Sequence, residues 1–185
     1  VRNKPLDEFQ MLMISRLEPV KNIEGMINVL SQLKNKTDLN LRLIIAGSGQ
    51  SESALKQQVK DLDMENQVTF LGFINDPYPY LVNADLYILN SHSEGFSNSL
   101  VEAMYSKTPS LSTAVGAAPE IIEDGISGFL TPANDEEALC EKLKAIIALP
   151  KEKLQEIGWV GHEKIVKNFS LGNHINELMK IYTYS

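Results

Sequence analysis

Leu86-Tyr87-Ile88-Leu89-Asn90-Ser91-His92-Ser93-Glu94-Gly95-Phe96-Ser97-Asn98-Ser99-Leu100-Val101-Glu102 joins a short apolar run to a polar, glycine-containing turn and then to a helix start. Leu86 to Leu89 has the composition of a strand buried on both faces. The helix must begin near Ser97 or Ser99, since serine is a preferred N-cap, and Ser99-x-x-Glu102 fits a capping box. The first-turn N–H groups of a helix have no internal acceptors, and the helix dipole adds partial positive charge there. That end is a seat for phosphate. Glu94 precedes the helix and Glu102 lies inside it, with seven residues between them. Each carboxylate can accept hydroxyl hydrogen bonds, one on either side of a seated phosphate. A sugar nucleotide has that layout: hexose hydroxyls, diphosphate, ribose hydroxyls.

The same strand–turn–helix grammar runs outward in both directions. Strands are expected at Met11 to Ile14, Leu41 to Ala46, Val68 to Leu71, Leu86 to Leu89, Ser110 to Ser112 and Gly128 to Leu130. Asn22 is positioned to cap a helix to Leu33, with Ile23, Met26, Ile27, Leu30 and Leu33 at helical spacing. Further helices are expected from Glu52 to Leu62, over Tyr78 to Val82, after Pro119, and through most of Asp135 to Tyr184 with breaks near Pro150 and Asn168 to Leu171. Strands alternating with helices over short links give an α/β fold, a parallel sheet of about six strands covered on both faces. Ligands of such folds sit at the carboxyl ends of the strands. Ser15 to Lys21, Gly47 to Gly49, Gly72 to Asp76, Asn90 to Asn98 and Thr113 to Glu120 all fall there.

The bulk properties are those of a soluble globular domain: 185 residues, 43 % hydrophobic and 22 % charged. A net charge of −7 argues against broad nucleic-acid binding. No apolar run approaches the roughly 20 residues that span a bilayer. Val1-Arg2-Asn3-Lys4-Pro5 lacks the apolar core of a signal peptide. The single cysteine, Cys140, cannot pair within the chain and falls in a helical apolar pattern, which suits a reducing compartment and a core position. The chain does not begin with Met, and residues 1–9 are expected to be a linker from a missing N-terminal domain, with residues 10–185 forming one nucleotide-sugar-binding domain.

Glu94-Gly95-Phe96, five residues, then Glu102-Ala103-Met104 resembles the E-x7-E motif of the retaining family 4 glycosyltransferases. Further matches spread from Ile14 to Leu130. The resemblance implies a Rossmann-like three-layer αβα domain, one half of a GT-B fold, that binds the donor. Arg16 and Lys21, in one loop after the first strand, match the family's Arg and Lys that hold the donor diphosphate. A planar fork of donors beside a compact point charge also suits that group on chemical grounds. The resemblance gives Glu94, Arg16 and Lys21 the catalytic roles. It assigns donor contacts to Glu102, Gly95, Phe96, Asn98, Ser99 and Leu100, and to Gly47, Gly72 and Phe73, with the Phe70 to Ile74 segment edging the base through its backbone. Gly47-Ser48-Gly49 taken alone is a tight turn first and a phosphate loop second. Gly116-Ala117-Ala118-Pro119-Glu120 departs from the family by carrying Ala117 where a second glycine is usual, which puts close backbone approach to the ligand there in doubt.

The remaining polar residues have plainer uses. His92 shapes its loop. Asp61-Leu62-Asp63 resembles a metal-binding DxD but falls at the end of an amphipathic helix, so neither metal nor cofactor is expected. Trp159, His162 and His174 are packing or surface residues. The implied reaction is retaining transfer of a hexosyl unit from UDP- or GDP-sugar to a hydroxyl on an acceptor sugar or lipid-linked sugar, in cell-surface polysaccharide or glycolipid synthesis. The expected setting is cytoplasmic, at the inner membrane face, with peripheral membrane association through the missing acceptor-binding N-terminal domain. This half alone is expected to fold but not to transfer. Two alternatives are a GT-B-type nucleotide-sugar epimerase and a non-catalytic module that keeps the fold for partner binding. A reaction assay with donor alone separates the first from a transferase. Packing has no need of four charged groups at the strand ends, which weighs against the second.

Overall fold

A computed structural model describes residues 7–168 of the chain. Six parallel strands form one sheet: β1 Glu8–Ile14, β2 Asn40–Ala46, β3 Val68–Gly72, β4 Leu86–Leu89, β5 Ser110–Thr113 and β6 Phe129–Thr131. Their order across the sheet is β3-β2-β1-β4-β5-β6, the doubly wound order in which the chain reverses direction between β1 and β4. Helices α1 Ile23–Leu33, α2 Glu52–Asp61, α3 Tyr78–Leu81, α4 Asn98–Tyr105, α5 Ala118–Ile121, α6 Glu136–Ile147 and α7 Lys151–Asn168 provide the crossovers and cover the sheet.

The strands are apolar on both faces because both faces are covered. Met11 and Met13 point into one core with residues of α1, α2 and α6. Leu12 and Tyr87 point into the other, with Leu100 and Met104 of α4 and Ile121 of α5. This period-two split of a continuous apolar run is what a central parallel strand requires. Cys140 is buried in the first core, as its helical pattern implies.

Two boundaries differ from the sequence reading. The linker expected over 1–9 gives way to strand at Glu8, and Phe9 is buried. β1 extends this far because it pairs along its whole length with β2, from Glu8 opposite Asn40 to Ile14 opposite Ala46. The helix expected after Pro119 is a single turn, ended where Ile122 turns to extended backbone. The break near Pro150 falls between α6 and α7. His174 and the helix expected beyond Asn168 lie outside the described residues. Among the described residues no helix is long and apolar enough to cross a membrane.

Candidate functional site

The reversal between β1 and β4 opens a crevice at the carboxyl ends of those two strands, where doubly wound folds hold ligands. Its walls are the loop after β1, Ser15 to Asn22, and the loop after β4, Asn90 to Ser97. Backbone and side-chain bonds lock the two together. Asn90 Nδ2 donates to the Asn22 carbonyl at 3.0 Å, and the His92 N–H donates to the Val20 carbonyl at 2.8 Å. Asn22 holds a left-handed backbone, φ 47° and ψ 43°, and its side chain accepts from the Gly25 N–H to start α1. Asparagine tolerates that conformation better than most residues. Behind the β4 loop, Thr113 Oγ1 donates to the Ser91 carbonyl at 2.7 Å.

Lys21 and Glu94 meet across this crevice. Lys21 Nζ lies 2.8 Å from both Glu94 oxygens, and each side chain is only 14 % exposed. The attraction in a pair so screened from water is larger than at the surface but is offset by desolvation, and removing one partner strands the other charge at a cost. Arg16, expected beside Lys21, points elsewhere. Its side chain is 75 % exposed and pairs with Glu18 at 2.9 Å. It lines a slot of about 160 Å³ with Ser15, Gly47, Ser48, Phe73 and Ile74. The five-residue step from Arg16 to Lys21 includes a 3₁₀ turn at Pro19–Lys21, and the two cations of this one wall point in different directions. A second cavity, about 450 Å³, lies between the same turn and α2. It takes in Glu18 and His92 but not the Lys21–Glu94 pair, so volume alone does not mark the charged centre.

α4 starts at the first of the two serines expected to open it. Ser97 is the cap, its Oγ accepting from the Leu100 N–H at 3.3 Å. Ser99 is therefore the second helical residue, and the Ser99–Glu102 capping box does not form. Asn98 and Ser99 are the first two residues of the helix, and the cap serves Leu100, so their N–H groups lie at its open end ahead of the internal ladder. Gly95 and Phe96 form the turn before it, and Glu102 lies exposed midway along it. Ser99 Oγ instead accepts from the hydroxyl of Tyr87, a fully buried residue of β4, at 2.7 Å. Burial pushes the Tyr87 phenol well above its ordinary range, and the nearby Glu94 and Glu102 carboxylates add to the effect. It stays neutral and donates. Within an apolar run Tyr87 reads as core, but a buried tyrosine hydroxyl needs a partner, and the serines after the loop, Ser97 and Ser99, are the candidates the sequence offers.

The glycines serve backbone contacts. A Cβ on Gly47 would lie 1.8 Å from the Ser15 carbonyl oxygen, and φ there is +137°. The Leu17 N–H donates to the Ser48 carbonyl and the Gly47 N–H to the Gly72 carbonyl. Gly47 to Gly49 thus ties the loops after β1, β2 and β3 together as irregular backbone, without the tight turn expected there. Gly116, φ +54°, packs against the Glu94 and Gly95 carbonyls, where a Cβ would come within 2.3 Å. The Ala117 N–H donates to the Gly95 carbonyl at 2.9 Å. Close approach in this turn is therefore to the β4 loop, and Ala117 leaves it intact. Asp61 accepts from Gln57 at the end of α2, and Asp63 takes a left-handed turn just beyond, away from the crevice. Trp159 is half-exposed under Lys107, whose ammonium sits 4.0 Å from the ring centre, and His162 stacks near Tyr105.

The model of the family described as glycosyl transferases group 1 matches residues 1–159. N-acetyl-alpha-D-glucosaminyl L-malate synthase of Bacillus anthracis is 28 % identical over 173 residues, which cover 93 % of this chain and 44 % of that protein. The chain thus spans less than half the length of that curated relative. The crystal structure of Anabaena HepE in complex with UDP matches with a TM-score of 0.87 at 25 % identity, over 97 % of this chain and 50 % of that one. The C-terminal domain of LpcC, a glycosyl transferase group 1 family protein from Francisella tularensis, matches with a TM-score of 0.77 at 26 % identity, over 88 % of this chain and 87 % of that one. The fold is one Rossmann-like half of a GT-B glycosyltransferase, and the chain belongs to the glycosyl transferases group 1 family.

Proposed function

We propose that this domain is the donor-binding half of a retaining hexosyltransferase that uses a nucleotide diphosphate sugar. The observation that carries the reading is the Lys21–Glu94 pair at the β1–β4 reversal, beside the open N-terminus of α4. Lys21 and the Asn98 and Ser99 N–H groups would hold the diphosphate and stabilise the charge it gains on leaving. Glu94 would orient the hexose hydroxyls, Glu102 the ribose, and the slot by Arg16, Gly47 and Phe73 would take the base, with Arg16 swinging onto the phosphates from its exposed pairing with Glu18. HepE, solved with UDP, supports a nucleoside diphosphate in this crevice. The acceptor, a sugar or lipid-linked sugar in polysaccharide or glycolipid synthesis at the inner membrane face, would be held by a second domain. Positioning two reactants supplies much of the rate, so transfer would need both halves.

The test separates the two carboxylates. Glu102→Ala should weaken UDP or GDP and the matching sugar nucleotide alike, by about tenfold or more for a lost charged contact. Glu94→Gln should weaken the sugar nucleotide but not the plain diphosphate, because it removes a hexose acceptor and at the same time frees Lys21. Calorimetry in which Glu94→Gln weakens the plain diphosphate equally would reject these roles.

With Lys21 and Arg16 as the cations, no metal is needed at the leaving group. Activity of the full-length protein should survive EDTA. Loss of activity restored by Mg²⁺ or Mn²⁺, and abolished by Asp61→Ala, would move the chemistry to the end of α2.

A further inference from the structure

We propose that Tyr87 is a positioning residue for the donor diphosphate, acting through the Ser99 hydroxyl; this rests on the function proposed above. Tyr87 sits on β4 opposite Leu12 of β1, directly beneath the reversal that makes the crevice. Its ring is fully buried in the core shared with α4, and its hydroxyl reaches Ser99 Oγ at 2.7 Å. A hydroxyl carries one proton and two lone pairs. Accepting from Tyr87 occupies a Ser99 lone pair and turns the Ser99 proton outward. Its one other close partner among the described residues is Ser97 Oγ, at 3.3 Å. That distance lies beyond the usual range for a hydroxyl pair, and Ser97 Oγ is already engaged by the Leu100 N–H. Either hydroxyl can donate across that long contact, and in both arrangements the Ser99 proton is free or only weakly engaged at the open end of α4, where a phosphate oxygen would take it.

The chemistry of Tyr87 suits this work. Burial holds the phenol in its protonated form, with the Glu94 and Glu102 carboxylates adding to the effect, so its proton stays available; the short contact is to Ser99, with Ser97 a second neighbour. Hydroxyls in series polarise one another, and the last donor gains strength when the chain ends on an anion. A phenylalanine would fill the same core volume and leave Ser99 free to rotate its proton toward Ser97 or solvent.

The experiment compares the full-length protein with Tyr87→Phe, Ser99→Ala, Ser99→Thr, the Tyr87→Phe/Ser99→Ala double and Lys21→Ala. Calorimetry with UDP, GDP and ADP gives the dissociation constant of the best-bound diphosphate, and thermal melting reports fold. Tyr87→Phe and Ser99→Ala should each raise that constant about three- to tenfold, the size of one lost hydrogen bond. The double should be no weaker than Ser99→Ala alone, and Ser99→Thr, which keeps the hydroxyl, should lose less affinity than Ser99→Ala. A purely structural tyrosine would shift melting without this non-additivity. The inference is overturned if Tyr87→Phe leaves affinity unchanged, or if the two losses multiply. If Lys21→Ala also leaves diphosphate affinity unchanged, the diphosphate site itself is misplaced.

Discussion

Lys21→Met should weaken nucleoside diphosphate binding by roughly tenfold to 150-fold, the equivalent of about 1.5–3 kcal/mol for one charge-assisted contact. It should also lower the melting temperature, because the Glu94 carboxylate would be left at 14 % exposure without its cation. Arg16→Met should cost less on both counts. Its guanidinium is 75 % exposed and bonded to Glu18, so the free protein loses little, and the ligand must first draw it from that partner. Lys21→Arg keeps the charge but replaces a compact ammonium with a longer planar fork, and should recover stability more fully than affinity. Calorimetry and melting curves on the four proteins decide the matter. Equal losses for Lys21→Met and Arg16→Met would mean that the screened pair is not the centre of the phosphate site.

Gly47→Ala should destabilise the domain by about 3 kcal/mol or more, from overpacking and left-handed strain together. The added methyl would sit 1.8 Å from the Ser15 backbone oxygen, and neither strand end can retreat. Ser15 is tied to Ala46, Leu17 to Ser48, and Gly47 itself to Gly72. Gly72→Ala is the control. Its φ is +70°, but nothing lies within 4 Å of its missing Cβ, so only the conformational term remains, roughly 1–2 kcal/mol. For a domain of this size each kcal/mol moves the melting point by about 2–4 °C. Similar melting points for the two variants would show that close approach, as opposed to backbone conformation, contributes nothing at Gly47.

Elements were legible where local chemistry dictates them. The continuous apolar runs at Met11 to Ile14 and Leu86 to Leu89 are strands because a sheet covered on both faces needs no alternation. Asn22 caps α1 because its side chain can serve a helix start from a left-handed backbone. What failed to show was set by distance or by competition. Ser97 and Ser99 can both cap; Ser97, with extended backbone, is the one that does, and Ser99 Oγ accepts from Tyr87 from within the helix. The Lys21–Glu94 pair joins residues 73 apart in sequence, and no periodicity carries that information. The strand order is likewise a tertiary fact: alternating elements imply parallel strands, but not that β1 lies between β2 and β4. Arg16 and Lys21 share a loop and an expected role, yet they point in different directions.

The middle place of β1 in the sheet has a consequence for how the chain is made. β1, β2 and β3 with α1 and α2 are contiguous in sequence and pair among themselves, so they can assemble while the ribosome is still working. The other edge of β1 must wait, since Met11 pairs with Leu86, 86 − 11 = 75 residues later. At synthesis rates of about 5–20 residues per second, that edge stays open for roughly 4–15 s. An apolar strand with one unpaired edge is a place for other chains to add. Ligand cannot shield it, because Glu94 arrives only after β4. The nascent chain therefore passes through this association-prone interval before any nucleotide could stabilise it, and the completed crevice marks the end of that interval.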